Sequence, residues 1–272
     1  MTDKSARELA FLHDLYVATD WSERFAALVD DALEKQLPGE GQFLYVECGT
    51  GSHALELREK LNEKVEFFCT ESDAERLHIA EVKSEAVRAG IKFQHTAPDA
   101  LNFPDGEFSA VVCDASFQPT QNLLGIWQAI YRVTERSGTV AFVIPTAGSF
   151  GEFFSIFWEA LHELEMTELG AEVERMIIEL PTVSDVKDVA QNAGFKRIAA
   201  STSIENFDYE TAEDFIRSPL ISDFLLPAWV SFVPSEQQVR LLRKIEEVIN
   251  NSREDLTFRL SVKMTLVTAQ KV

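Results

Sequence analysis

Cysteine is scarce in this chain. There are three among 272 residues, at positions 48, 69 and 113. An odd count without paired spacing excludes a disulfide framework. Cys48, Cys69 and Cys113 fall in or at the ends of predicted strands, and they read as small buried thiols. Histidine is also sparse. His13, His53, His78, His95 and His162 are scattered, and no two stand at metal-ligand spacing, so no metal site is expected. Positive charge is in deficit, with 25 basic against 45 acidic residues and a net charge of −20. A field of that sign repels phosphate backbones, which excludes nucleic acid as a partner, and it disfavours acidic carrier proteins and anionic membranes. It leaves neutral and cationic small molecules open. No apolar run is long enough to span a membrane, and the stretch from Met1 to Lys4 lacks the apolar core of a signal peptide. The expectation is a cytoplasmic protein. There are no internal repeats and no low-complexity tracts.

What is present is an ordinary hydrophobic fraction of 46%. That suffices for a sizeable core, either one large α/β domain with a lid or one core with a small cap. Helical spacing of Leu9, Leu12, Leu15 and Tyr16 predicts a helix over 5–18. A second helix is predicted from Ser22, a good N-cap, through Phe25, Leu28, Val29 and Leu33. Strands are predicted near 42–47, 65–70, 91–96, 108–114 and 139–144, and helices near 51–61, 73–89 and 120–134. Alternation of this kind implies right-handed crossovers and a parallel sheet. A further helix runs from Pro181-Thr182 to Gly194, followed by a strand over 196–203. The last strand is predicted from Leu256 to Thr268, where apolar and polar residues alternate. Two aromatic-rich stretches stand out. Phe150, Phe153, Phe154, Phe157 and Trp158 sit at helical spacing, and either pack as core or line an apolar pocket. Residues 207–250 carry Phe215, Phe224, Trp229 and Phe232, then a charged helix from Ser235 to Asn250.

The richest stretch is Phe43-Leu44-Tyr45-Val46-Glu47-Cys48-Gly49-Thr50-Gly51-Ser52-His53-Ala54. It reads as a buried strand ending in an acid, a glycine turn, and a helix start. Such a turn admits a ligand close to the backbone and presents free N–H groups. The pattern Gly49-x-Gly51-x-x-Ala54 also satisfies a dinucleotide fingerprint. Glu47, however, would set a negative charge beside a pyrophosphate, and it suits an ammonium far better. Glu71, just past the second strand and 22 residues after Gly49, is placed to accept bonds from ribose hydroxyls. Glu47, Glu71 and Asp114 all fall at carboxyl ends of strands, where ligands of such sheets bind.

With these motifs in hand, residues 41–145 resemble the core of a class I S-adenosylmethionine-dependent methyltransferase, of the group that includes ubiquinone and menaquinone C-methyltransferases. Val46–Gly51 is similar to the family's first motif, and Cys69–Leu77 to its ribose-binding segment. Leu101–Val112 resembles the loop and fourth strand. Ile130–Val140 resembles the helix and turn before the fifth strand. The resemblance implies a Rossmann-like α/β sandwich. Its seven-stranded sheet is mostly parallel, with an antiparallel last strand and a helical lid. It further implies an N-terminal lid over 1–40, a cofactor-binding core over 41–206 and 251–272, and a cap insertion over 207–250. S-adenosyl-L-methionine is the implied cofactor. Glu47, Cys48, Gly49, Thr50, Gly51, Glu71, Ser72, Asp99, Ala100 and Asp114 are the implied cofactor contacts. The partner is a small, apolar or aromatic methyl acceptor. Quinone, sterol, amine and polyketide remain open, as does the oligomeric state.

Two departures qualify the resemblance. His53 replaces the family's usual third glycine. Alignment on Leu101-Asn102-Phe103-Pro104 puts Ala97 and Pro98 where the family has an adenine-binding acid followed by an N–H donor. Alanine cannot accept, and proline has no N–H. Asp99 and Ala100 are the substitutes if the loop is shorter. Otherwise the cofactor is held weakly, and the alternative reading is a catalytically degenerate, ligand-sensing or scaffold protein. A nicotinamide-dependent oxidoreductase is the lesser rival, opposed by Glu47. Methyl transfer from a sulfonium needs chiefly positioning, so no catalytic residue is required by the chemistry. The candidates are Asp114, His13 and Tyr16.

Overall fold

The computed structural model describes residues 4–33, 38–251 and 257–272. Met1 to Asp3 and Leu256, which entered the expectations above, lie outside the described residues. The described helices and strands, in chain order, begin with α1 (Ala6–Leu12), a π-helical stretch His13–Ser22 and α2 (Glu23–Leu33). Then come β1 (Gly41–Val46), α3 (Ser52–Lys60), β2 (Val65–Glu71), α4 (Ala74–Val87), β3 (Lys92–His95) and β4 (Phe108–Asp114). Next are α5 (Leu123–Val133), β5 (Thr134–Pro145), α6 (Gly151–Glu163), α7 (Gly170–Glu179) and α8 (Val183–Asn192). The chain continues with β6 (Lys196–Tyr209), α9 (Ala212–Arg217), α10 (Leu226–Trp229), α11 (Ser235–Asn251) and β7 (Phe258–Gln270).

The seven strands form one sheet in the order β3-β2-β1-β4-β5-β7-β6. Strands β3, β2, β1, β4 and β5 pair in parallel. Strand β7 runs antiparallel to β5, as the exchange of bonds between Ser137, Gly138 and Lys271, and the bond from Thr146 N–H to the Lys263 carbonyl, require. The order reverses between β1 and β4. That reversal opens a crevice at the carboxyl ends of these two strands, the general ligand position in such sheets.

The chain divides into two compact units. The first comprises residues 1–144, 182–203 and 264–272, and the second 145–181 and 204–263. The first has its core on the parallel sheet. Trp127 of α5 is fully buried, stacks on Phe142 at 4.6 Å and meets Phe195 edge-on at 5.4 Å. Leu44, Val111, Ile126 and Ile130 fill the space around them. In the second unit the α6 aromatics pack on one another and on α9 and α10. Phe153 stacks on Trp229 at 4.3 Å, and Phe157 on Phe232 at 5.8 Å. The aromatic spacing of 149–166 therefore reports a core.

Three elements differ from expectation. The first two helices are one helical run, because no breaker separates them. The break read at Ser22 is instead the end of a π-helical stretch, in which the Glu23 N–H reaches back to the Ala18 carbonyl. That wider turn faces His13, Val17, Ala18 and Trp21 inward. Strand β5 starts at Thr134 rather than 139. The predicted turn is a bulge against β4, and a Cβ at Gly138 would come within 2.7 Å of Thr134 Cγ2. Strand β6 continues past 203 to Tyr209. It lies at the sheet edge and is largely exposed, so a polar sequence such as Ser201-Thr202-Ser203 serves there. Among the described residues no helix is long and apolar enough to cross a membrane.

Removing the Trp127 ring should leave an uncollapsed hole against Phe142 and Phe195. Trp127→Ala is expected to cost about 3–5 kcal/mol in urea unfolding, and a loss below about 1 kcal/mol would contradict this packing.

Candidate functional site

Strand β1 ends abruptly. Glu47 takes φ +58°, a left-handed conformation that residues with a Cβ adopt only under constraint. The Cys48 N–H donates to the Thr70 carbonyl at 3.0 Å, and the Gly51 N–H closes the turn on the Cys48 carbonyl at 3.1 Å. Each glycine has its own reason. Gly51, at φ +83°, lies where a Cβ would meet Ala80 Cβ at 2.8 Å, so it lets α3 approach α4. Gly49, at φ +58°, faces the cleft. There a Cβ would meet His13 Cε1 at 2.9 Å.

The turn brings two buried carboxylates together. Glu47 is 7% exposed and Glu71 1%. The Glu71 carboxylate accepts from the Gly49 N–H at 2.8 Å and the Asp73 N–H at 3.0 Å, and it pairs with Arg76 at 2.8 Å. Glu47 is met by neutral donors. Ser72 N–H lies at 3.1 Å, Ser72 Oγ at 2.8 Å and Gln118 Nε2 at 2.7 Å. Burial, then the Glu71 charge, push the Glu47 carboxyl up to about 8, against the opposing pull of Ser72 and Arg76. Burial also raises Glu71, although Arg76 and the two N–H donors oppose it. The arrangement is short of one positive charge at Glu47.

A cleft lined by Glu47, Cys48, Gly49, Thr50, Glu71 and Asp114 thus gathers most of the expected contacts. Ser72 stands behind it and positions Glu47. Asp114 is half-buried and held by the Ser116 N–H at 2.9 Å, and burial raises its carboxyl. His13 lines the cleft, but burial, with Arg76 and Lys83 nearby, lowers its pKa to about 3, so it stays neutral at ordinary pH. Tyr16 is 38% exposed and is not among the lining residues. Asp99 and Ala100 lie in an exposed turn in which the Ala100 N–H is used by the Ala97 carbonyl at 3.0 Å. Sequence reasoning missed Tyr45, Arg76 and Gln118, which also line the cleft, as does His53. Arg76 was legible as the cation one turn into the helix after Glu71. Gln118 became visible only when the loop after β4 folded back over Glu47. Among the described residues no three His, Cys, Asp or Glu side chains gather to hold a metal ion.

Residues 43–138 match a family described as a methyltransferase domain. Over this segment the chain is similar to methyltransferase domains. A demethylmenaquinone methyltransferase of Deinococcus radiodurans is 30% identical over 120 residues, covering 43% of this chain and 49% of that protein. The chain spans about half the length of the curated relatives it matches. Among solved structures, a putative methyltransferase of Bacillus halodurans aligns with a TM-score of 0.59 at 16% identity, over 90% of this chain and 98% of that one. A phosphoethanolamine N-methyltransferase of Haemonchus contortus, solved with S-adenosyl-L-methionine, aligns with a TM-score of 0.56 at 13% identity, over 99% and 60%. The chain thus shares its fold with both.

The raised Glu47 carboxyl has a definite consequence for stability. The folded chain keeps this proton up to about pH 8, whereas an ordinary carboxyl releases it near 4.5. Between those values the folded state binds more protons, so stability falls as pH rises through that window. Glu47→Gln carries no such charge. Relative to the parent it should gain roughly 4 kcal/mol between pH 5 and pH 8.5, measured by urea unfolding at each pH. A pH-independent difference would contradict the burial of the charge.

Proposed function

We propose that this chain transfers a methyl group from S-adenosyl-L-methionine to a small acceptor. The observation that carries the reading is Glu47, a desolvated carboxyl beside a glycine turn whose ionised form is met only by neutral donors. A pyrophosphate would add like charge there. An ammonium supplies the missing cation. The fit is good on the aminoacyl side, where Glu47, the turn 48–51 and Asp114 form one wall. It is partial on the ribose side. Glu71 Oε2 has one bond and room for a further donor, but Oε1 already serves Asp73 and Arg76. Two ribose hydroxyls on Glu71 therefore require Arg76 to turn aside. The adenine side has an exposed carboxylate at Asp99 and offers no N–H from Ala100, so affinity should be modest. When bound, the cofactor supplies a methyl already activated on a sulfonium. The chain's own work is to hold the two reactants in line and keep water out.

His13 bears on entry. Its ring packs on Gly49, so a ligand on the turn displaces it. The stretch that carries it is π-helical and tied down by an ion pair between Asp14 and Lys83. π-helical turns are frequent at functional sites.

Calorimetric titration with S-adenosyl-L-methionine, and separately with S-adenosyl-L-homocysteine, tests the reading. Micromolar binding is expected for both. Titration in two buffers of different ionisation enthalpy should show proton release at pH 7, because the ligand ammonium draws Glu47 into its ionised form. Glu71→Gln should weaken binding about tenfold or more. Absence of binding by either compound would overturn the reading in favour of a scaffold that has lost turnover.

A further inference from the structure

Positive charge is scarce in this chain, and a carboxylate commonly answers it. Lys60, Arg76, Lys83, Lys92, Arg175 and Lys244 all sit in ion pairs. One group of bases differs. A groove of about 390 Å³ runs between one face of α8 and the start of β6, and Lys187, Lys196 and Arg197 line it together. Among the described residues none of these three makes an ion pair. The groove shares no lining residue with the cleft at Glu47.

Packing and hydrogen bonds fix its walls. On α8, Ser184, Lys187, Asp188 and Gln191 stand at helical spacing and share the face that lines the groove. Val186 and Ala190, fully buried, hold the other side of that helix against the core. Phe195, also fully buried, anchors the turn from α8 into β6 against Trp127. Lys187 is half-buried, and Lys196 and Arg197 are exposed. Arg197 takes φ +50°, a left-handed conformation that is costly for a residue with a Cβ. Its guanidinium donates to Gln270 Oε1 at 2.8 Å, and Gln270 Nε2 donates in turn to the Ser137 carbonyl at 2.9 Å. A neutral amide thus steadies the guanidinium, leaves its charge uncancelled and leaves further N–H groups to donate. Asp188 is the one acid on the lining, so three cations stand against one carboxylate.

We propose that this groove binds a small molecule carrying a phosphate or diphosphate group. Three cations gathered without matching carboxylates repel one another, and a dianion removes that repulsion. The planar guanidinium suits a phosphoryl edge with parallel N–H donors, and the lysines act as point charges beside it. The Ser184 hydroxyl and the Gln191 amide add neutral donors. The volume exceeds that of a bare ion and falls in the range of about 300–1,000 Å³ typical of small-molecule sites. Nucleic acid is the wrong occupant, because a chain of net charge −20 repels a long phosphate backbone. The site goes beyond the methyltransferase reading and does not depend on it.

Calorimetric titration of the whole chain with inorganic pyrophosphate tests the proposal, in about 0.15 M KCl so that diffuse surface attraction is screened. Saturable binding with a submillimolar Kd is expected. The double variant Lys187→Gln/Arg197→Gln should bind at least about tenfold more weakly. Arg240→Gln/Arg243→Gln removes the same charge from exposed positions on α11 and should bind as the parent does. Pyrophosphate should raise the melting temperature of the parent and of the α11 variant, and leave that of the groove variant unmoved. A cooperative melt without ligand verifies that each variant folds. Citrate, a polyanion without a phosphoryl group, should bind the parent at least about tenfold more weakly than pyrophosphate. No saturation by about 10 mM pyrophosphate, an equal loss of binding in both double variants, or citrate binding as tight as that of pyrophosphate would each overturn the proposal.

Discussion

The site depends on one electrostatic constraint, a carboxyl at the end of β1 that is removed from water next to a second acid and so holds its proton up to about pH 8. Burying a lone charge is costly, and a second like charge adds to the cost. The fold accepts this because other features fix the geometry. The parallel pairing of β1 with β2 sets Glu47 and Glu71 at neighbouring strand ends. The left-handed backbone at Glu47 aims its side chain at Ser72 and Gln118. Arg76 neutralises Glu71 and leaves Glu47 to be satisfied from outside. This imbalance is what supports the proposal of a cationic ligand group at Glu47.

The second constraint is steric. The glycine turn invites close approach, and the chain fills that space with the His13 ring. This histidine is uncharged because burial and two nearby cations disfavour its protonated form. It therefore adds no cation to the pair of acids and cannot substitute for a ligand ammonium. The helical run that carries His13 also carries Trp21 and Phe25, so the same element covers the turn and walls a small adjoining cavity.

Much of this was legible in the sequence. Strand and helix alternation gave the parallel sheet, because short apolar runs separated by turn residues leave few other arrangements. Glu47 and Glu71 were legible because the chemistry of an acid beside a glycine turn is specific. Local pattern could not show what depends on distant packing. Gln118 reaches Glu47 across 71 positions, and Tyr45, read as a core residue, meets His53 across eight. The π-helical stretch was invisible because its composition suits an ordinary helix. The aromatic residues near 150–158 were ambiguous, since a core and a pocket wall share one spacing. Gly51 was expected as a ligand contact, and its further role in helix packing is one that only the position of Ala80 reveals.

The most direct measurement is the titration of the Glu47 side-chain carboxyl by ¹³C nuclear magnetic resonance, assigned by its loss in Glu47→Gln. The account predicts a midpoint at about 8 in the free protein. It also predicts a fall when S-adenosyl-L-methionine is added, as the ammonium stabilises the charge. A midpoint near the ordinary 4.5, unmoved by the ligand, would contradict the claim that a desolvated acid defines this site.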